Sequence, residues 1–227
     1  MKIIIPDVIQ DGGVLEAKIF GAKAEIIAPD ITNSSQVDDD VWNSCDAILA
    51  FDQLVYDREL ISKLTHCKSI VRVGVGFDNV DLDAAREKGI VVSNVPDYGT
   101  EEVADHAIAL LLNMTRGLKE YSLKVEERNW DRSASLPIRL RGKTLGLIGF
   151  GRIGVATALR AKSFGLDVIF YDPYIPNGVE KSIGVKRVRS LEDIAKNSDF
   201  ISLHTPINDE TKNIVDQSFL DKVKKRV

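Results

Sequence analysis

Gly142-Lys-Thr-Leu-Gly-Leu-Ile-Gly-Phe-Gly-Arg-Ile-Gly154 is the stretch on which the reading of this chain turns. Thr144–Ile148 is an apolar run of strand length that leads straight into Gly149, Gly151 and Gly154, a G-x-G-x-x-G. Residues 153–164 then read as a helix, with Ile153, Ala156, Leu159 and Phe164 spaced for one buried face. A strand, a glycine turn and a helix in that order suit a dinucleotide. The first glycine permits the tight turn, the second lets backbone approach a pyrophosphate, and the third lets helix and strand pack closely. The helix N-terminus offers unpaired N–H groups and a partial positive charge to the phosphates. A second strand, Asp167–Tyr171, ends at Asp172, roughly 20 residues on, where an acidic side chain meets the ribose hydroxyls. A carboxylate there repels a 2′-phosphate, and Pro173 and Tyr174 supply no arginine to hold one. The alternative for Asp172 is a strand-end turn residue beside a proline. The spacing favours NAD over NADP.

Upstream, residues 2–5, 24–28, 46–51, 69–73 and 90–93 read as strands, several of them closed by proline. Val14–Phe20, residues 58–64 and residues 81–88 read as helices between them, the last capped by Asp81 and stopped by Gly89. Strands alternating with helices imply a parallel sheet covered on both faces. The expected organisation is α/β throughout: a flavodoxin-like N-terminal domain over 1–98 and a Rossmann domain over 99–227. The polar run 32–40 holds three consecutive aspartates; it reads as a solvated loop capping the next helix in preference to a metal site.

Thr100–Arg116 reads as a long helix with Val103, Ala107, Leu110, Leu111 and Met114 on its apolar side. Ala104, Ile108 and Leu112 widen that stripe beyond one face. Either the helix is sandwiched between two layers or it meets a partner subunit, and a homodimer through residues 100–116 is expected. His106, inside this helix, is either a base or an ordinary helical histidine; the second reading is preferred. Residues 118–128 read as a further helix. Beyond Tyr171 follow a short strand at 185–188, a helix at 191–196, the strand Phe200–Leu203 and a helix at 217–225 capped by Asp216. Counted from the glycine motif, the strands are the first four of a doubly wound sheet ordered 3-2-1-4-5-6, with the last two absent from this stretch.

The chain has 227 residues, 44% apolar and 28% charged, with a net charge of −4. No basic stripe suggests nucleic acid, and no apolar run approaches the roughly 20 residues of a membrane span. Cys45 and Cys67 show no metal-ligand spacing and read as packing thiols of a reduced cytoplasmic protein.

Three blocks, VRVGVGFDNVDLDAAREKGIVVSNVPDYGTEEVADHAIALLL, LRGKTLGLIGFGRIGVATALRAKSFGLDVIFYDPY and DFISLHTPINDETKNIVD, resemble the NAD-dependent D-isomer-specific 2-hydroxyacid dehydrogenases. The second is also similar to the C-terminal-binding-protein corepressors. The resemblance implies an N-terminal substrate domain and a cofactor domain, hinged near 96–101. It implies that the backbone N–H groups of Val73, Gly74, Val75 and Gly76 hold the carboxylate of a small 2-hydroxy or 2-oxo acid, with Arg72 assisting or merely on the surface. It places Gly149, Gly151, Arg152, Ile153 and Gly154 at the pyrophosphate and Asp172 at the ribose. His204, Thr205, Pro206, Asn208 and Thr211 would line the adenosine, and Thr100 would lie near the nicotinamide. The family's catalytic arginine, glutamate and histidine belong to segments after the final helix. Arg226 does not occupy the motif position and His106 is not the family's histidine, so no residue is assigned a catalytic role and this stretch alone is expected to be inactive. The resemblance leaves open an oxidoreductase, an NADH-responsive corepressor-like protein and a truncated form.

Overall fold

The computed structural model describes residues 1–224 and falls into two compact units, Met1–Tyr98 and Gly99–Val227. In the first, β1 (Lys2–Ile4), β2 (Glu25–Ile27), β3 (Ala47–Ala50), β4 (Ser69–Arg72) and β5 (Val91–Asn94) form one parallel sheet in the order β2-β1-β3-β4-β5. That is the flavodoxin-like order. The helices α1 (Val14–Phe20), α2 (Asp39–Ser44), α3 (Arg58–Lys63) and α4 (Leu82–Glu87) alternate with the strands. Asp57 and Asp81 cap α3 and α4 by accepting the N–H groups of Leu60 and Ala84. Ile4, Trp42, Ile48, Tyr56 and Ile70 are fully buried and form the centre of the core, together with the two free thiols Cys45 and Cys67.

The polar run 32–40 differs in detail from its expectation. Ser34–Gln36 is a 3-10 turn closed by a capping box from Asn33 and Gln36. Asp38 stands at the N-cap of α2 but makes no cap hydrogen bond, while Asp39 pairs with Lys63 at 2.9 Å. Among the described residues no three or more His, Cys, Asp or Glu side chains converge to hold a metal ion.

The second unit starts with α5 (Thr100–Arg116) and α6 (Leu118–Glu126). It continues through β6 (Thr144–Ile148), α7 (Arg152–Ser163), β7 (Asp167–Tyr171), α8 (Val179–Ile183), β8 (Lys186–Arg187), α9 (Leu191–Asn197), β9 (Phe200–Leu203) and α10 (Gln217–Leu220). The sheet is parallel in the order β8-β7-β6-β9, with Ile148 of the glycine strand paired to Tyr171 on one side and Leu203 on the other. Counted from β6, that is 3-2-1-4. Asp216 caps α10 through the Phe219 N–H, as expected. The helix ends at Leu220 instead of 225, however, and residues 225–227, Arg226 included, lie outside the described residues.

Two helices bury a different face from the one their large side chains suggested. In α7 the inward residues are Gly154, Ala156, Thr157, Ala158 and Ala161, whereas Leu159 and Phe164 are exposed. Close helix–sheet and helix–helix contact favours small residues, so the side packed most tightly carries little hydrophobic weight. In α5 the buried residues are Ala104, Ile108, Leu111 and Thr115, while Val103, Leu110 and Met114 stand exposed. α5 packs on α7, where Arg160 bonds Asp105 at 2.5 Å and also reaches Glu101. The exposed stripe of α5, with Phe200, Leu203 and Phe219, borders an apolar cavity of about 640 Å³. His106 is on this exposed side. Among the described residues no helix is long and apolar enough to cross a membrane.

Candidate functional site

The three glycines stand in different steric surroundings. Gly149 has φ +91°, and a Cβ there would lie 2.5 Å from the carbonyl oxygen of His204. A Cβ on Gly154 would lie 2.5 Å from the carbonyl oxygen of Gly149, so the helix presses directly on the turn. Gly151, at the N-cap of α7, has nothing within 4 Å of its missing Cβ. The turn is thus closed from behind by backbone at two glycines and open in front at the third. That open face sits at the end of α7, where the first-turn N–H groups lack intrahelical partners. Beneath the turn, Phe150 is buried and stacks on Phe170 at 3.8 Å, with the Arg187 guanidinium over the Phe170 ring. Nothing in the sequence pattern singled out this stack.

A cavity of about 310 Å³ opens on this face. Gly149 and Gly151 form one wall and Asp172 with Tyr174 a second. The third wall is the loop after β9, which contributes His204, Thr205, Pro206, Asn208 and Thr211. Eight of the residues expected at a nucleotide therefore converge. Arg152, Ile153, Gly154 and Thr100 do not line this cavity: Arg152 and Thr100 are the first residues of α7 and α5, and the Arg152 guanidinium has no partner among the described residues.

Asp172 does more than face the cavity. Its Oδ2 accepts the Phe150 N–H at 2.8 Å, tying the end of β7 to the glycine turn, and its Oδ1 accepts the Tyr174 N–H at 2.9 Å. Each carboxylate oxygen retains a second lone pair, so the group can still accept from a ribose hydroxyl. Opposite, Asn208 Oδ1 accepts the N–H groups of Glu210 and Thr211 at 3.0 Å each, and the Thr211 hydroxyl donates to the Pro206 carbonyl at 2.5 Å. Both loops are braced by side chain–backbone bonds that leave their outer faces free.

His204 sits at the strand end as expected. Its Nε2 lies 3.0 Å from the Ser202 hydroxyl, and burial holds its pKa below the ordinary value of 6.5. Because the folded protein favours the neutral ring, stability is full above pH 6.5 and declines as pH falls through the unfolded-state value. His204→Gln is expected to reduce that decline in denaturant titrations between about pH 7 and 5; an unaltered acid limb would show that His204 is not its source.

In the first unit, the loop after β4 is partly committed. The Val73 N–H donates to the Ala50 carbonyl at 2.7 Å and the Gly74 N–H to the Arg72 carbonyl at 2.8 Å. The resemblance gives all four N–H groups one role; of these four, those of Val75 and Gly76 have no acceptor among the described residues. Arg72 lies over the loop, donating to the Val73 carbonyl at 3.1 Å, and a Cβ on Gly74 would fall 1.5 Å from its Nη1. It is half-buried and packed, not a surface residue.

Comparison with known proteins gives three concordant findings. The family model described as "D-isomer specific 2-hydroxyacid dehydrogenase, NAD binding domain" matches residues 108–227. D-3-phosphoglycerate dehydrogenase of Methanocaldococcus jannaschii is 35% identical over 226 residues, covering 99% of this chain and 42% of that protein; the Bacillus subtilis enzyme of the same name is 33% identical, covering 100% and 42%. The chain thus spans less than half the length of the curated relatives it matches. Among solved structures, D-lactate dehydrogenase from Aquifex aeolicus, described as complexed with NAD and lactic acid, is similar with a TM-score of 0.90 at 30% identity. That likeness covers 99% of this chain and 66% of that one.

Proposed function

We propose, for a chain that belongs to the family of D-isomer specific 2-hydroxyacid dehydrogenases, that the cavity of the second unit holds NAD. The pyrophosphate would lie against Gly151 and the first turn of α7, the adenosine ribose against Asp172, and the adenine between Tyr174 and the loop from Thr205 to Thr211. The observation that carries this reading is the contrast among the glycines: Gly149 and Gly154 are closed by backbone at 2.5 Å, whereas Gly151, in the cavity wall at the start of α7, has open space where a Cβ would lie. When bound, NAD accepts or donates a hydride. The protein to which this chain belongs would move that hydride to or from a small 2-hydroxy or 2-oxo acid. The Val75 and Gly76 N–H groups would hold the acid's carboxylate as a backbone nest. The relatives named above act, by name, on different acids, so the proposal stops at that class.

Asp172 gives the test. Replacing it with Ala should weaken NAD by about 1.5–3 kcal/mol, the usual worth of a hydrogen bond to a charged group, and relax discrimination against NADP. Isothermal calorimetry with both nucleotides reads both effects. Unchanged affinity for NAD would remove Asp172 from the site.

The same reading gives the exposed stripe of α5 a second copy of the chain as its partner. Leu111 is buried in the core, so only the outward Val103, Leu110 and Met114 are available for this. Met114→Glu should shift a dimer to monomer in light scattering while the melting temperature stays near that of the unaltered protein, because Met114 is 60% exposed. A clean monomer of the unaltered protein at micromolar concentration would overturn the dimer.

A further inference from the structure

The rim of the nucleotide cavity carries a contact that the reading above does not use. The Tyr174 hydroxyl donates to Glu210 Oε2, joining two residues 36 positions apart that both line the cavity. Each partner is presented by a side chain–backbone turn. Asp172 Oδ1 takes the Tyr174 N–H at 2.9 Å, with Pro173 fixing the backbone between them, and Asn208 Oδ1 takes the Glu210 N–H at 3.0 Å. The bond therefore spans from the loop after β7 to the loop after β9. The hydrogen bond to the Glu210 carboxylate also holds the Tyr174 pKa above its ordinary value of 10.0. Charge along the lining is one-sided: it includes two carboxylates, Asp172 and Glu210, and no lysine or arginine.

We propose that Tyr174 and Glu210 form a clasp across the mouth of the adenosine cavity, and that Glu210 is a second residue, beside Asp172, that excludes an adenosine ribose bearing a 2′-phosphate. This rests on the cavity being the NAD site. The two partners contribute separable effects. The Tyr174 hydroxyl supplies the bond that closes the rim and slows departure of the nucleotide. The Glu210 charge repels a 2′-phosphate, which only the phosphorylated nucleotide carries, and salt screens that repulsion because the rim is open to solvent.

Tyr174→Phe keeps the ring and removes the hydroxyl. Glu210→Gln keeps an acceptor for Tyr174 and removes the charge. Both side chains are exposed, Tyr174 by 73%, so neither change disturbs the core. Stopped-flow displacement of NADH should be roughly three- to tenfold faster in Tyr174→Phe, the range expected for one neutralised rim hydrogen bond. In fluorescence titrations, Glu210→Gln should leave NADH affinity nearly unchanged and tighten NADPH roughly three- to tenfold, with the gain shrinking in high salt. Unchanged NADH release in Tyr174→Phe would overturn the clasp. An unchanged NADPH-to-NADH ratio in Glu210→Gln would overturn the exclusion. Asp172→Asn separates this from the parent reading. If that variant alters NADH binding while Tyr174→Phe leaves NADH release unchanged and Glu210→Gln leaves the NADPH-to-NADH ratio unchanged, the clasp fails and the NAD site stands. If the unaltered protein binds neither nucleotide, the NAD site itself fails and the clasp with it.

Discussion

Gly149→Ala is expected to destabilise the second unit by about 2–4 kcal/mol, and Gly151→Ala to leave stability within about 1 kcal/mol while NADH affinity falls at least tenfold. The two substitutions add the same methyl group two residues apart in one turn, and the local geometry decides which property is lost. At Gly149 the backbone has φ +91°, a conformation that costs an L-residue strain, and the new carbon would meet the His204 carbonyl oxygen at 2.5 Å. That oxygen is fixed because the His204 N–H is bonded to the Ile148 carbonyl at 2.7 Å, so the clash cannot be relieved by a side-chain rotation. At Gly151 the backbone is already extended, and the added carbon meets no protein atom within 4 Å. What it would meet, with the nucleotide placed as proposed, is the pyrophosphate approaching the α7 N–H groups. Urea unfolding reads the first effect and a nucleotide titration the second. A stable Gly151→Ala that binds NADH as tightly as the unaltered protein would move the pyrophosphate away from this turn.

That turn was legible in the sequence because its constraints are local: positive φ, close approach and a helix start all act within six consecutive residues. Asp172 was legible for the same reason, since its place is fixed by the length of one helix and one strand. The parallel order of both sheets followed from the alternation of strands and helices. The faces of α5 and α7 were not legible. Periodicity weighs large side chains, whereas the buried positions here include the small Gly154, Ala158 and Ala161 on α7 and Ala104 on α5. Gly146 shows the same limit. In a strand a lone glycine reads as a weakness, but a Cβ there would lie 2.0 Å from Ser198 Oγ, so the position is filled by a neighbouring element. Tyr174 and Glu210 carry no signal singly; their pairing depends on two loops that only the sheet order brings together. The commitment of the Val73 N–H in the loop after β4 was not legible either, because its acceptor is on β3, 23 residues away by number, at Ala50.

The residue with the largest expected effect on the first unit, Asp7, has no motif around it. It follows Pro6 at the end of β1 and reads as a turn residue, yet its side chain is 0% exposed. Its Oδ2 accepts the Phe51 N–H at 3.0 Å and its Oδ1 the Gln53 N–H at 2.9 Å. The Leu54 N–H and the Tyr56 hydroxyl add longer contacts, each at 3.4 Å. The loop so held is clamped from its other side by Asn79, whose Nδ2 donates to the carbonyls of Phe51 and Leu54 at 2.9 and 2.8 Å. β1 and β3 are the neighbours at which the strand order reverses, and the crevice at the carboxyl ends of such strands ordinarily admits a ligand. Here the protein's own carboxylate takes the N–H donors that an external anion would use. Asp7→Ala strands those buried donors, and at about 1–3 kcal/mol for each unsatisfied group, offset by partial hydration, the loss should reach about 3–5 kcal/mol. Against a domain stability of about 5–15 kcal/mol, that brings the first unit close to unfolding. Asp7→Asn keeps one oxygen for Gln53 and Leu54, and the Tyr56 hydroxyl can turn to accept from the new amide, so about half the loss is expected. Trp42 reports the result in fluorescence-monitored urea unfolding, because it is 0% exposed in this unit while Trp130 of the other is 84% exposed. An Asp7→Ala variant within about 1 kcal/mol of the unaltered protein would mean that the donors of residues 51–54 find other partners, and that the loop is held by Asn79 alone.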